Sequence, residues 1–251
     1  MDEILRVLQT DGLIWMFVAV FFAAIVRGFC GFGSALVYLP VAAQFLEPAS
    51  VIASMIVFSM VGPIPLIPRA IRDSKPKEVM GLGLAGIIGI PFGVMLLIRL
   101  EPEVFRWLVS GIALVTLVAL GSGMRYRRAP SALLVMITGF ISGLFGGFAG
   151  LAGPPVILLY LGGQKKIAEI RATILLFLFI TDIAVMLVFL VRGLIGIDAA
   201  IIGALLIPAY MAGGLIGAKI FNPAHEKAFR LIAYAIIFIA LLTGLPLFDQ
   251  P

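Results

Sequence analysis

The chain has 251 residues, 62% of them hydrophobic and only 12% charged, whereas soluble domains run at about half apolar and about a quarter charged. That balance excludes an ordinary water-soluble domain. The net charge of +5 does not describe a nucleic-acid surface, because the basic residues sit in short turns between apolar runs, and the single cysteine, Cys30, excludes an internal disulfide or a cysteine-based metal cluster.

Taken in chain order, apolar runs between polar turns define eight segments, at 12–46, 49–70, 79–99, 104–123, 131–161, 172–192, 199–221 and 229–248. The first has no small-residue cleavage pattern and is followed by many more spans, so it is expected to be retained. Six segments have the length of one membrane crossing, about 20 residues for about 30 Å of hydrocarbon. The first and fifth do not. A helix of roughly 31 to 35 residues would be about 50 Å long, too long for one crossing, while two crossings need about 40 residues.

Those two segments also carry glycine clusters at their middles. The first runs Arg27-Gly28-Phe29-Cys30-Gly31-Phe32-Gly33-Ser34 and on to Pro40; the fifth runs Gly143-Leu144-Phe145-Gly146-Gly147-Phe148-Ala149-Gly150 and on to Pro154-Pro155. Glycine and proline here are expected to break the helix, with Pro40, Pro154 and Pro155 as hairpin breakers. At an offset of 115, Gly28 falls on Gly143, Gly31 on Gly146 and Pro40 on Pro155; at an offset of 124, Gly89, Gly93, Phe105 and Arg106 fall on Gly213, Gly217, Phe229 and Arg230. The chain therefore reads as one transmembrane domain, 1–251, made of two repeats, 1–126 and 127–251.

Charge decides how the repeats are oriented. If all eight segments cross, the basic residues of the turns split nine against eight between the two faces, which carries no orientation signal. If segments one and five are re-entrant hairpins, the turns around 69–77, 125–128, 165–171 and 219–230 share one face with thirteen basic residues, against Arg6, Arg99, Arg106 and Arg192 on the other. The expected fold is thus an all-α integral membrane protein of two inverted repeats, each a re-entrant glycine-rich helical hairpin plus three transmembrane helices. Both termini lie outside a bacterial-type cytoplasmic membrane, and the two hairpin tips meet near the midplane.

A broken helix exposes the free N–H groups of the segment that starts after the break, and the helix dipole adds about half a positive charge there. The tips therefore suit an anion, with Arg27, Gly28, Gly31, Gly33, Ser34, Gly146, Gly147 and Gly150 as candidate substrate-binding residues. No Gly-Lys-Ser ending marks a nucleotide site. Arg27, beside the first glycine cluster, is the best single candidate for substrate contact; its alternative is to tie down nearby carbonyls or snorkel to the interface, and its second-half counterpart is Ser142. Asp182, inside the run Leu175 to Leu190, is the coupling candidate, with the proton as the possible coupling ion; its alternative is a structural partner to Arg27.

Ser34, Tyr38, Gln44, Ser54, Tyr160, Thr173 and Tyr210 are further hydrogen-bonding candidates. Tyr38 and Tyr160 also fit interfacial aromatics, and Ser54 and Thr173 also fit helix-knitting hydroxyls. Gly81, Gly83, Gly86, Gly89 and Gly93, like Gly203, Gly213, Gly214 and Gly217, have close-packing spacing, as do Gly139 and Gly143. His225 fits a solvated turn residue.

The duplicated glycine-rich segment ending in proline, with Ala53-Ser54 and Ala172-Thr173 after the two hairpins, resembles the sulfite exporter TauE/SafE family over essentially the full chain. The first hairpin departs from the usual pattern at Cys30, Phe32 and Ser34. The resemblance implies a secondary permease for sulfite, sulfonates or related small anions, working by alternating access without a cofactor or metal. A lipid or polyprenyl-phosphate translocase is the alternative, since it needs a similar cavity opening sideways to lipid. A channel usually needs several subunits around a pore. An enzyme would cluster His, Asp or Glu at a membrane face, and autonomous ATP-driven transport would need a phosphate-binding lysine motif.

Overall fold

The computed structural model describes residues 2–122, 130–160, 167–220 and 226–246, and these are helical, with no strand among them. The basic residues expected at 125–128 and 165–166, and His225, lie outside the described residues. In chain order the helices are α1 (Asp2–Leu8), α2 (Leu13–Cys30), α3 (Ser34–Ala42), α4 (Pro48–Ser59), α5 (Ile67–Asp73), α6 (Pro76–Leu97) and α7 (Pro102–Gly121). They continue as α8 (Ala132–Ala149), α9 (Gly153–Tyr160), α10 (Ile167–Val191), α11 (Ile197–Ile220) and α12 (Glu226–Gly244). Helices α6, α7, α8, α10 and α11 are each long and apolar enough to cross a membrane, and the bent α4–α5 pair adds a sixth candidate. Leu84, Ile88, Val115 and Leu133 point outward, as side chains solvated by lipid do.

Local sequence sets the helix ends. Pro48, Pro76 and Pro102 open α4, α6 and α7 at the first helical position, where the missing N–H is no loss. The long first segment breaks at Gly31 (φ 82°) and Gly33 (φ 98°), and the long fifth segment at Gly150 (φ 69°). Backbone in this left-handed region is open to glycine and strained for other residues. The prolines are not where the helices break. Pro40 is inside α3, and Pro154 and Pro155 sit in the first turn of α9, which accommodates proline without losing a helical hydrogen bond.

One span differs from its expected form. Segment 49–70 is not a straight helix, because Gly62, Pro63, Pro65 and Pro68 withdraw three donors and one side chain within seven residues. The chain bends by 47° between Pro48–Ser59 and Ile64–Asp73.

Contacts at the helix ends sort the turns into two groups. At one end, Lys75 Nζ lies 3.4 Å from Glu169 Oε1, and the Tyr160 hydroxyl donates to Glu78 Oε2 at 2.9 Å. At the other, Gly12 lies against the Phe45 ring, Arg106 Nε donates to the Gly244 carbonyl at 3.3 Å, and Arg6 lies 3.8 Å from Asp198.

The tightest packing is between helices far apart in sequence. Helix α6 runs alongside α8, where a side chain at Gly143 would strike the Gly86 carbonyl and one at Gly147 the Ile90 carbonyl. Helix α11 runs alongside α2 in the same manner: Gly213 faces the Phe21 carbonyl, and a side chain at Gly28 would come within 2.9 Å of the Gly217 and Ala218 backbone. Bare glycine lets backbones touch, and between helices in lipid this dispersion contact is the main attraction available.

Candidate functional site

Both breaks open onto one interior cavity of about 50 Å³. From the first break come Arg27, Phe32, Gly33 and Ser34; from the second come Gly150 to Pro154; α4 contributes Met55 and Ser59, and α10 contributes Leu178 and Asp182. Ser34, Ala35 and Leu36, the first turn of α3, line the cavity, and Gly33 supplies no side-chain cap to their N–H groups. The first two residues of α9 line it as well. Two helix N-termini thus face the same small volume, and both dipoles favour negative charge there.

Arg27 is in the last turn of α2 and its Nη1 donates to Ser34 Oγ at 3.4 Å. Ser59 Oγ donates to Asp182 Oδ2 at 3.0 Å. Arg27 and Asp182 line the same cavity, yet among the described residues no ion pair within 4.0 Å joins them. Asp182 is therefore not simply the closed-up counter-ion of Arg27. Tyr210, on α11, has a buried hydroxyl beside Ser34 and Arg27 that completes no well-formed hydrogen bond among the described residues, and it is near enough to feel the charge of Asp182. Its ring packs tilted by 48° against Phe58 at 5.0 Å, and Phe58 meets Tyr38 edge-on at 4.9 Å.

The residues singled out from sequence separate into two sets. Arg27, Gly33, Ser34, Gly150, Pro154 and Asp182 line the cavity. Gly28 and Gly147 are wedged in the α2–α11 and α6–α8 seams, Gly146 packs 3.0 Å from the Ala152 methyl measured from an added Cβ, and Gly31 lies beside Arg171 on α10. Pro40 rests against Gly244, and Pro155 is not on the cavity wall.

Tyr38 and Tyr160 are not interfacial aromatics. Both are fully enclosed, Tyr38 hydrogen-bonded to Ser54 at 2.7 Å and Tyr160 to Glu78. Ser54 knits α3 to α4, whereas the buried Thr173 hydroxyl has no hydrogen-bond partner among the described residues. Gln44 turns back to the Pro40 carbonyl at 3.3 Å, away from the cavity. Sequence reasoning missed Ser59; its one signal is a hydroxyl directly ahead of the Gly62-Pro63 break.

A multi-pass bundle with a charged cavity between two helix breaks has the form of a membrane transporter. The profile of the sulfite exporter TauE/SafE family matches residues 16–243, and the chain belongs to that family, whose members are transporters. The chain is also 22% identical over 221 residues, covering 82% of this chain and 83% of the relative, to a protein of Cupriavidus necator described as "Probable sulfite/organosulfonate exporter TauE". No solved structure matches.

Proposed function

We propose that this protein is a secondary transporter that moves sulfite or an organosulfonate across a bacterial-type cytoplasmic membrane, holding the anion between the two helix breaks. One observation carries the reading: the N-termini of α3 and α9 and the Arg27 guanidinium meet at one cavity. Burying an anion in a low-dielectric interior is unfavourable unless charge and N–H donors are already in place; here Arg27 supplies the charge and the uncapped first turn of α3 the donors, while at α9, where Pro154 and Pro155 have no N–H, Gly153 and the helix dipole contribute. A volume of about 50 Å³ is space on the order of four water molecules. That suits a small oxyanion head group better than a lipid phosphate with its chain. The family and the description of the Cupriavidus relative favour the sulfur anions among small oxyanions.

Alternating access would come from two inverted repeats, 1–126 and 127–251, whose hairpins enter from opposite faces. Gly12 against Phe45 brings the start and finish of the first hairpin to one end of the bundle. The second hairpin starts beside the first turns of α6, where Val135 meets Gly81, and finishes where Tyr160 meets Glu78, both at the other end. The Lys75–Glu169 pair supports the same parity, because eight simple crossings would put those residues on opposite faces. The face with thirteen basic residues is then cytoplasmic and both termini are outside.

Thermal unfolding of the purified protein in detergent with sulfite, sulfate, thiosulfate, taurine, sulfoacetate or chloride tests the site. A ligand at a hundred times its Kd stabilises the folded state by about 2.7 kcal/mol. Saturable stabilisation by a sulfur anion that disappears in Arg27→Gln is the expected result. An unchanged response in the variant removes Arg27 from the site, and no response to any of the anions removes the substrate class.

A further inference from the structure

We propose that Asp182, held by Ser59, is the proton acceptor that couples anion binding at Arg27 to uptake of one proton in the same cavity; the inference rests on the anion site described above. Among the residues lining the cavity, Arg27 and Asp182 are the only charged pair, so the empty site is balanced at zero. Arginine stays protonated under all physiological conditions. A monoanion entering on Arg27 therefore leaves one uncompensated negative charge in a narrow, partly enclosed cavity, and a proton on Asp182 removes it. Ser59 Oγ already donates to Oδ2, which leaves Oδ1 to take the proton from water.

Among the described residues no ion pair within 4.0 Å reaches Asp182. Helix α10 packs on α4, α5, α6, α8 and α9. On α4 the polar neighbour is Ser59; α8 has no ionisable group, and α9 has only Tyr160, already bonded to Glu78. The charged groups of α5 and α6 (Arg69, Arg72, Asp73, Lys77 and Glu78), and Glu169 on α10 itself, belong to the end marked by the Lys75–Glu169 pair. Arg171, eleven residues from Asp182 and about 16 Å away along the helix, extends its guanidinium to Gly31 at the first break, outside the cavity lining. The groups near enough to matter are Arg27 from α2 and the Tyr210 hydroxyl from α11. An anion and a proton that relieve each other's charge bind cooperatively, and the effect is reciprocal.

The test is calorimetric titration of the full chain in detergent with methanesulfonate, a strong-acid monoanion that does not itself titrate. It is run across about pH 5 to about pH 8, where folded proteins are commonly most stable, in buffers of different ionisation enthalpy. Wild type is expected to take up close to one proton per anion, with affinity falling by up to tenfold per pH unit. In Asp182→Asn the anion still binds, uptake falls to near zero and the pH dependence disappears. Binding with no proton uptake in wild type, or equal uptake in Asp182→Asn, overturns the coupling and leaves the anion site standing. Absence of methanesulfonate binding in wild type overturns the anion site and the coupling with it. If Asp182→Asn does not fold, Asp182→Glu serves instead: it keeps proton uptake but moves its pH midpoint, and an unmoved midpoint overturns the assignment.

Discussion

A hydroxyl inside a lipid-embedded bundle has no water to turn to, so what happens when its partner is removed depends on which partner remains. Tyr38 and Ser54 show the asymmetry. Ser54 Oγ also reaches the Val51 carbonyl at 2.9 Å, whereas among the described residues the other hydrogen-bond partner of the Tyr38 hydroxyl is Met16 Sδ at 4.0 Å. Tyr38→Phe leaves Ser54 satisfied and is expected to lower stability by about 1 kcal/mol; Ser54→Ala strands a buried phenol and is expected to lose about 2 kcal/mol. Denaturant unfolding of both variants in detergent checks the order, and Tyr38→Phe as the more damaging change would contradict it. At this scale Arg27, Ser34 and Asp182 were legible, since charge and its neighbour stand out in an apolar run. Ser59 was not, because a lone serine in a span is unremarkable until the aspartate it serves, 123 residues later, is placed beside it.

The helices themselves were legible almost to their ends, because hydropathy and the polar turns mark them; the breaks at Gly31, Gly33 and Gly150 were legible for the same reason the glycines are there. What could not be read was which glycines face the cavity and which face another helix, since that depends on a partner from the other half of the chain. The 47° bend after Ser59 was also missed, its prolines being hidden inside a run of ordinary span length. The packing role makes a sharp contrast testable. Gly147→Val would drive a branched side chain into the α6 backbone at Ile90, Gly93 and Val94, whereas Gly111 on α7 has nothing within 4 Å of an added Cβ. Gly147→Val is expected to abolish recovery of monodisperse protein. Gly111→Ala is expected to be neutral or to stabilise by up to about 1 kcal/mol, as alanine does in place of a helical glycine. Size-exclusion profiles and melting temperatures of the two variants decide it.

For the whole molecule, the proposed hairpins make a prediction that simple crossing does not. In a Cys30→Ser background, single cysteines at Thr10, Ser74 and Glu101 would be probed in intact cells with a membrane-impermeant maleimide. Hairpins at segments one and five put residues 10 and 101 outside together and 74 inside. Eight simple crossings put 10 with 74 and leave 101 opposite. Labelling of Thr10→Cys and Glu101→Cys, with Ser74→Cys reacting only after permeabilisation, is the expected pattern. What the sequence did carry is an all-helical, multi-pass chain, because lipid forces spans to be written as long apolar segments. The pairing of α2 with α11 and of α8 with α6 left no such trace, since glycine spacing says that a helix will be approached closely without saying by which one.

That cross-pairing has a consequence for how the protein can be made. The long helix before each break is seated on a helix from the opposite half of the chain, so neither half closes its own glycine stripe. A gene divided between codons 123 and 129 would yield two fragments, each presenting bare backbone to lipid that offers no better partner than loose acyl chains. Expressed singly, each is destined for degradation; expressed together, each supplies the groove the other lacks. The smallest piece expected to assemble is thus the two fragments together.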